Sequence, residues 1–279
     1  MTDPPDSTPL AETILRALAA AGLSDDPPSA DDLRAVDEFH IRGRAATDAL
    51  AEAAGISAGD RVLDAGCGLG GPARRLAAVH GALILGTDLS ERYVRAASTL
   101  TVRVGLGERC RFAVADSTAL PVAGGAVDVV WSQHATMAIA DKDAVVREWR
   151  RALGPGGRLA LYEIVAGPGG PPHLPAPWAE TAAESFLEPE SALVDRLARA
   201  GFAITHRRDD TDAATAWFAR QATRPAERGT AEKPPPVGLH LVLGPVFTSM
   251  AANQARNLAE NRTRVIEIVA RAVRAPDAG

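Results

Sequence analysis

Residues 62–71 read VLDAGCGLGG: an apolar, β-rich run breaks into glycines and then enters a helix-forming stretch. A strand, a glycine turn and a helix in direct succession open a βαβ unit. Glycine lets the backbone turn tightly and present its amides at a helix N-terminus. An α/β chain built on a parallel sheet is therefore expected.

The remaining pattern agrees. Short apolar runs at 61–64, 83–88, 110–116, 127–132 and 158–163 read as buried strands, with helix-length stretches at 72–80, 91–104 and 141–153 between them. Alternation of this kind predicts a doubly wound sheet. The run 153–157, LGPGG, is expected to end the third of those helices. Upstream, Leu10, Ile14, Leu15 and Leu18 recur at helical spacing before Gly22, and a second helix is expected over 44–54. Downstream, a helix over 189–200, a strand over 202–206, a helix over 212–220 and a polar loop over 221–238 follow. Residues 246–273 are open: Val265, Ile268, Val269, Ala272 and Val273 fit a helical stripe, yet VIEIV fits a strand equally. Residues 1–9 read as disordered. The proline-rich run 167–177 reads as a lid loop over the sheet or a simple connector.

A chain of 279 residues can bury one large core. Its net charge of −5, with no run of Lys or Arg, argues against a nucleic-acid partner. Cys67 and Cys110 are the only cysteines, and neither a secretory pattern nor a membrane-length apolar run is present. A cytoplasmic protein without membrane insertion, monomeric or homodimeric, is expected. Cysteine and histidine show no paired spacing of the kind that holds a metal, so none is expected.

Gly66, Gly68 and Gly71 satisfy the spacing of a dinucleotide loop, so the glycines alone admit a nicotinamide-dependent oxidoreductase. Asp64 separates the readings. A carboxylate two residues before the first glycine repels a pyrophosphate and attracts a cation. S-adenosyl-L-methionine carries an ammonium and a sulfonium and no phosphate. Asp88, closing the second strand, can accept hydrogen bonds from vicinal ribose hydroxyls, and Asp116, closing the third, from an adenine amino group. Acids at strand ends also cap helices, but three of them beside a glycine loop make a binding constellation.

Together, 64–70 DAGCGLG, 87–90 TDLS, 115–117 ADS, Leu120-Pro121 and 153–157 LGPGG resemble the successive motifs of class I S-adenosylmethionine-dependent methyltransferases. The resemblance covers about residues 40–165. It is nearest to the branch containing ubiquinone/menaquinone C-methyltransferases, sarcosine/dimethylglycine N-methyltransferases and natural-product methyltransferases. It implies a Rossmann-like doubly wound sheet of seven strands, the last antiparallel and assigned to 264–273, with helical cap or lid insertions at 167–190 and 207–262. It also implies N-terminal helices over 10–54 that cover the cofactor site, a methyltransferase domain over 55–279, and a site formed by His40, Asp64, Gly66, Gly68, Asp88, Leu89, Asp116, Ser117 and Gln133; His40 reads equally as an ordinary capping residue, and Gln133 as positioning either cofactor or acceptor.

Methyl transfer from a sulfonium is an in-line displacement, so the protein chiefly aligns the reactants and, where needed, takes a proton. His134, in 131–137 WSQHATM at the carboxyl edge of the fourth strand, is the candidate base, or else a loop residue hydrogen-bonded to its surroundings. His134, Tyr162, His173, Trp178, Phe186, Trp217 and Phe247 are the candidate acceptor contacts. The aromatics among them suit a small lipophilic or ring-bearing metabolite of secondary metabolism, or form the core of the cap. Within the class the alternative is a sarcosine/dimethylglycine-type N-methyltransferase of betaine synthesis.

Overall fold

The structure is a computed structural model describing residues 9–23, 27–227 and 237–273, with only the backbone described over 222–227. In chain order the helices and strands are α1 Leu10–Ala20, α2 Arg44–Ala54, β1 Arg61–Ala65, α3 Gly71–His80, β2 Leu83–Asp88, α4 Glu91–Arg103, β3 Cys110–Val114, β4 Val127–Gln133, α5 Lys142–Ala152, β5 Leu153–Ala166, α6 Glu190–Arg199, β6 Phe202–Asp209, α7 Thr211–Glu227, α8 His240–Leu243, α9 Phe247–Ala259 and β7 Thr263–Ala272. Local chemistry sets several boundaries. Ser90 accepts the amide of Tyr93 to start α4, Asp141 accepts that of Ala144 to start α5, and Gly55 in the left-handed region ends α2.

The seven strands form one sheet in the order β3-β2-β1-β4-β5-β7-β6. All neighbours are parallel except β7, which runs antiparallel to both β5 and β6. The chain winds outward in one direction from β1 and in the other from β4. The carboxyl ends of β1 and β4 therefore flank the crevice where open α/β sheets bind ligands. One face of the sheet packs against α2 and α3 through Leu50 and Leu76, the other against α5 and α6 through Trp149, Leu193 and Leu197. A third apolar cluster joins Ile14 and Leu18 of α1 to Leu100 of α4 and to Val237 and Val242 around α8.

The structure bears out some expected boundaries and moves others. The run LGPGG does follow the end of α5, which closes at Ala152 with Leu153 as its C-cap, and it also opens β5: Leu153 pairs with Val127, and residues 154–157 bulge before Arg158 pairs with Val129. A side chain at Gly154 would stand 3.2 Å from the Gly125 carbonyl oxygen, so glycine permits that approach. Residues 221–227 are not loop but the end of α7, since a nucleated helix propagates without needing an apolar stripe. The third strand stops at Val114, leaving Asp116 in the following turn, and the sixth continues to Asp209. The open stretch 246–273 is helix α9 followed by strand β7, and β7, antiparallel to both neighbours, bears out the last strand expected over 264–273. β7 lies inside the sheet and is buried on both faces, which erases the two-residue alternation that marks a half-exposed strand. The segment 1–9 read as disordered lies, except for Pro9, outside the described residues, as do residues 228–236 of the polar loop.

Candidate active site

The glycine loop between β1 and α3 is held from beneath by backbone. The amides of Gly66 and Cys67 donate to the Thr87 carbonyl at 2.8 and 3.0 Å. Asp88 clamps the loop to α4: its Oδ2 accepts the Gly68 amide and its Oδ1 the Ser90 amide, each at 2.9 Å. Two further chain segments press on the glycines. A Cβ on Gly66 would fall 2.6 Å from the Ala135 Cβ in the loop after β4, and one on Gly71 only 2.1 Å from the Asp37 carbonyl oxygen. Asp37 is fixed there by a buried ion pair with Arg74, 3.0 Å long. Residues 36–43 thus form a strap across the glycine loop.

Asp64 is 2% exposed at the end of β1, and its Oδ2 has no hydrogen-bond partner among the described residues. Burial, reinforced by the charges of Asp88 and Glu38, pushes its carboxyl up to about 8. An unpartnered buried carboxylate oxygen is costly and calls for a cation or donor from outside the chain. Leu89, directly after Asp88, is 72% exposed, a large apolar surface at the same sheet edge. Asp116 is exposed, and its Oδ1 accepts the amide and hydroxyl of Thr118 at 2.8 Å each, which holds its carboxyl below the usual range; Ser117 beside it is half-buried.

Gln133, the last residue of β4, is buried. Its Oε1 accepts from Trp131 Nε1 at 3.0 Å and from the Thr47 hydroxyl at 3.3 Å, while its Nε2 lacks a partner among the described residues. Thr47 on α2 also meets His40 Nε2 at 3.2 Å, and His40 pairs with Glu38 at 2.7 Å. His40 therefore reaches the β4 edge through Thr47, inside a buried polar cluster.

His134 does not stand free as a base. Its ring stacks on Tyr162 with centroids 5.1 Å apart, Nδ1 lies 2.9 Å from the Tyr162 carbonyl oxygen, and Nε2 accepts the Ile41 amide at 3.3 Å. Both nitrogens are engaged by backbone, and burial with the neighbouring His40 pushes the ring down to about 3. The geometry makes His134, held at φ +52°, the tie between the strap, the post-β4 loop and β5. Tyr162 is fully buried; its hydroxyl donates to Asp210 at 3.1 Å, and Arg42 pairs with the same carboxylate oxygen. Burial and Asp210 raise the phenol.

His173 is likewise no free acceptor contact. It pairs with Glu260 at 2.8 Å while its backbone is bracketed by Asn257, so it clasps the proline-rich loop to α9. Trp178 and Trp217 are half-buried against the central cluster, Trp217 edge-on to Phe218 at 4.9 Å. Phe186 is 37% exposed, and Phe247, half-buried, opens α9. The sequence reading missed Glu38, Arg42 and Asp210. Asp210, an acid between a strand and a helix, carried a positional signal; Arg42 carried none.

Residues 63–161 match the family described as a methyltransferase domain. The methyltransferase GfsG of Streptomyces halstedii is 37% identical over 159 residues, 56% of this chain and 55% of that protein. The 27-O-demethylrifamycin SV methyltransferase of Amycolatopsis mediterranei is 38% identical over 122 residues, 44% of this chain and 45% of that protein. The chain thus spans about half the length of the curated relatives it matches. Among solved structures, the [4+2]-cyclase SpnF superposes with a TM-score of 0.67 at 23% identity, covering 95% of this chain and 94% of that one. A geranyl diphosphate C-methyltransferase from Streptomyces coelicolor A3(2) gives 0.67 at 19% identity, covering 97% and 100%. These likenesses show the shared fold.

Proposed function

We propose that the chain, whose residues 63–161 match a methyltransferase domain, is a class I S-adenosylmethionine-dependent methyltransferase that transfers the donor's methyl group to an O, N or C atom of a small, lipophilic or ring-bearing metabolite. The observation that carries this reading is the unpartnered, buried Oδ2 of Asp64 beside the glycine loop. A donor with an ammonium fits that oxygen, whereas a dinucleotide brings only negative charge to it.

S-adenosylmethionine, when bound, supplies a methyl group on a sulfonium. Toward it, Asp64 takes the ammonium, and the free amide hydrogens of Gln133 Nε2 meet the methionine carboxylate, with His40 bracing that edge through Thr47. Gly66 and Gly68 admit the donor close to the backbone. Asp88, held by the backbone amides of Gly68, Leu89 and Ser90, keeps lone-pair capacity for a ribose hydroxyl. Leu89 covers the adenine, with Asp116 and Ser117 at its rim. The strap, α1, α2 and the described cap residues of 167–190, 210–227 and 237–262 stand around the acceptor, to which Trp178, Phe186, Trp217 and Phe247 offer aromatic surface, with Tyr162 beneath them. His134 orients rather than deprotonates. The acceptor class draws support from relatives named as demethylrifamycin, sterol and tocopherol methyltransferases. Among the described residues no helix is long and apolar enough to cross a membrane. The reaction is assigned to a reducing cytoplasm, where the buried Cys67 and Cys110 remain thiols.

Incubation of the protein with methyl-labelled S-adenosylmethionine and a metabolite extract tests the proposal. Label partitioning into organic solvent is expected. Label confined to the aqueous phase would replace the lipophilic acceptor with a betaine-type amine, and tight donor binding without any transfer would sink the enzymatic reading.

A further inference from the structure

Glu163 lies on β5 with its side chain fully buried beneath the post-β4 loop. Its Oε1 accepts from the Ser132 hydroxyl at 3.3 Å and the Ala135 amide at 3.4 Å; its Oε2 accepts from the Thr136 amide at 3.3 Å and the Thr136 hydroxyl at 3.0 Å. The same loop is gripped from its other end by Lys142, whose Nζ donates to the Ile139 carbonyl at 2.9 Å and to that of Thr136. What the loop then touches matters for the site. Ala135 faces Gly66 so closely that a Cβ there would come within 2.6 Å. The Met137 carbonyl accepts the amide of Phe186 from the cap at 2.9 Å.

We propose that Glu163 is a positioning residue: its carboxylate, through the amides of Ala135 and Thr136, sets the post-β4 loop against the glycine loop on one side and the cap on the other. This rests on the methyltransferase reading for its consequence, not for its geometry. The chemistry asks for an anion in particular, and because burial pushes the Glu163 carboxyl up to about 7, the comparison belongs at pH 8.5, where the group is ionised. Each oxygen of Glu163 faces one backbone N–H, and a backbone N–H has no lone pair to offer in return. A glutamine, in either orientation of its amide, would turn an NH2 group toward one of those N–H groups. Shape is preserved while one bond becomes a donor–donor clash. An aspartate is shorter by one methylene but keeps two anionic acceptors. Charge demand and packing demand thus predict opposite rankings of the two variants.

The test uses the full chain with Glu163→Gln and Glu163→Asp. Amide hydrogen exchange of residues 134–139 is measured without ligand, and S-adenosylmethionine affinity by calorimetry. Glu163→Gln is expected to speed exchange in that loop and to weaken donor affinity, each by about tenfold, the worth of one hydrogen bond to a charged group. Glu163→Asp is expected to recover most of both. Equal or better behaviour of Glu163→Gln than of Glu163→Asp would overturn the proposal, since mere packing gives that order. Should Glu163→Gln fail to fold, Lys142→Met, which leaves the carboxylate and frees the Thr136 and Ile139 carbonyls, is expected to loosen the same residues, and unchanged exchange there would count against the brace. Wild-type protein that binds no S-adenosylmethionine would sink the functional reading while leaving the exchange result to decide on Glu163.

Discussion

At the scale of single residues, Asp64 is an acid whose proton is set by what stands beside it. Its carboxyl rises from 3.8 to about 8 through burial and the nearby Asp88 and Glu38. A folded value above the unfolded one favours the folded state fully below pH 3.8, and that contribution is lost as pH rises through about 8. The ligand-free Asp64→Asn variant is therefore expected to melt at a higher temperature than wild type at pH 8, while binding S-adenosylmethionine roughly 10- to 100-fold more weakly, from the ~1.5–3 kcal/mol of a charged hydrogen bond. A lower melting temperature and intact affinity would contradict both halves. Binding an ammonium also expels the proton: at pH 6.5 calorimetry in phosphate and in imidazole should give different enthalpies, reporting up to about one proton released. Identical enthalpies would mean that Asp64 does not meet a cation. The placement of Asp64 and Asp88 beside the glycine loop was legible in the sequence, because each stands at the end of a strand at a fixed distance from the glycines. The engagement of His134 was not, since its partner is the Ile41 amide, contributed by a segment remote in sequence.

At the scale of elements, the strap and the glycine loop constrain each other. Gly71→Ala is expected to dislodge residues 36–43, because the clash is with the Asp37 carbonyl, which is backbone and cannot rotate away. The expected cost is about 1–3 kcal/mol, as for other overpacked sites, read by urea unfolding, with faster proteolysis within the strap. A variant as stable and as resistant as wild type would show that the strap has room. The core strands were legible from short apolar runs between helices. The start of β5 was not, because a glycine that stops a helix and one that admits a backbone contact look alike until Gly125 is placed beside Gly154. β7 was legible from the family resemblance but not from periodicity, because burial on both faces removes the pattern that distinguishes strand from helix.

At the scale of the whole molecule, α1 is tied to α4 and α8 through one apolar cluster in which Ile14 and Leu18 are completely buried. Ile14→Ala is expected to cost about 2–5 kcal/mol, measured as a shift in the urea midpoint; a loss below about 1 kcal/mol, the level of a surface change, would mean that α1 is only loosely attached. The strand order has a consequence in time rather than space. β7 fills the gap between β5 and β6, and its pairing begins where Ala166 meets Thr263, across all of α6, β6 and the helices of the cap. Until that strand arrives, β5, which carries Tyr162 and Glu163, has one open edge, and such an edge can pair with any other chain. Closure over so long a loop is slow. The strand that holds the site's tyrosine and its brace is thus the one most exposed to misassembly during folding, and crowding of nascent chains should be felt there before anywhere else in the sheet.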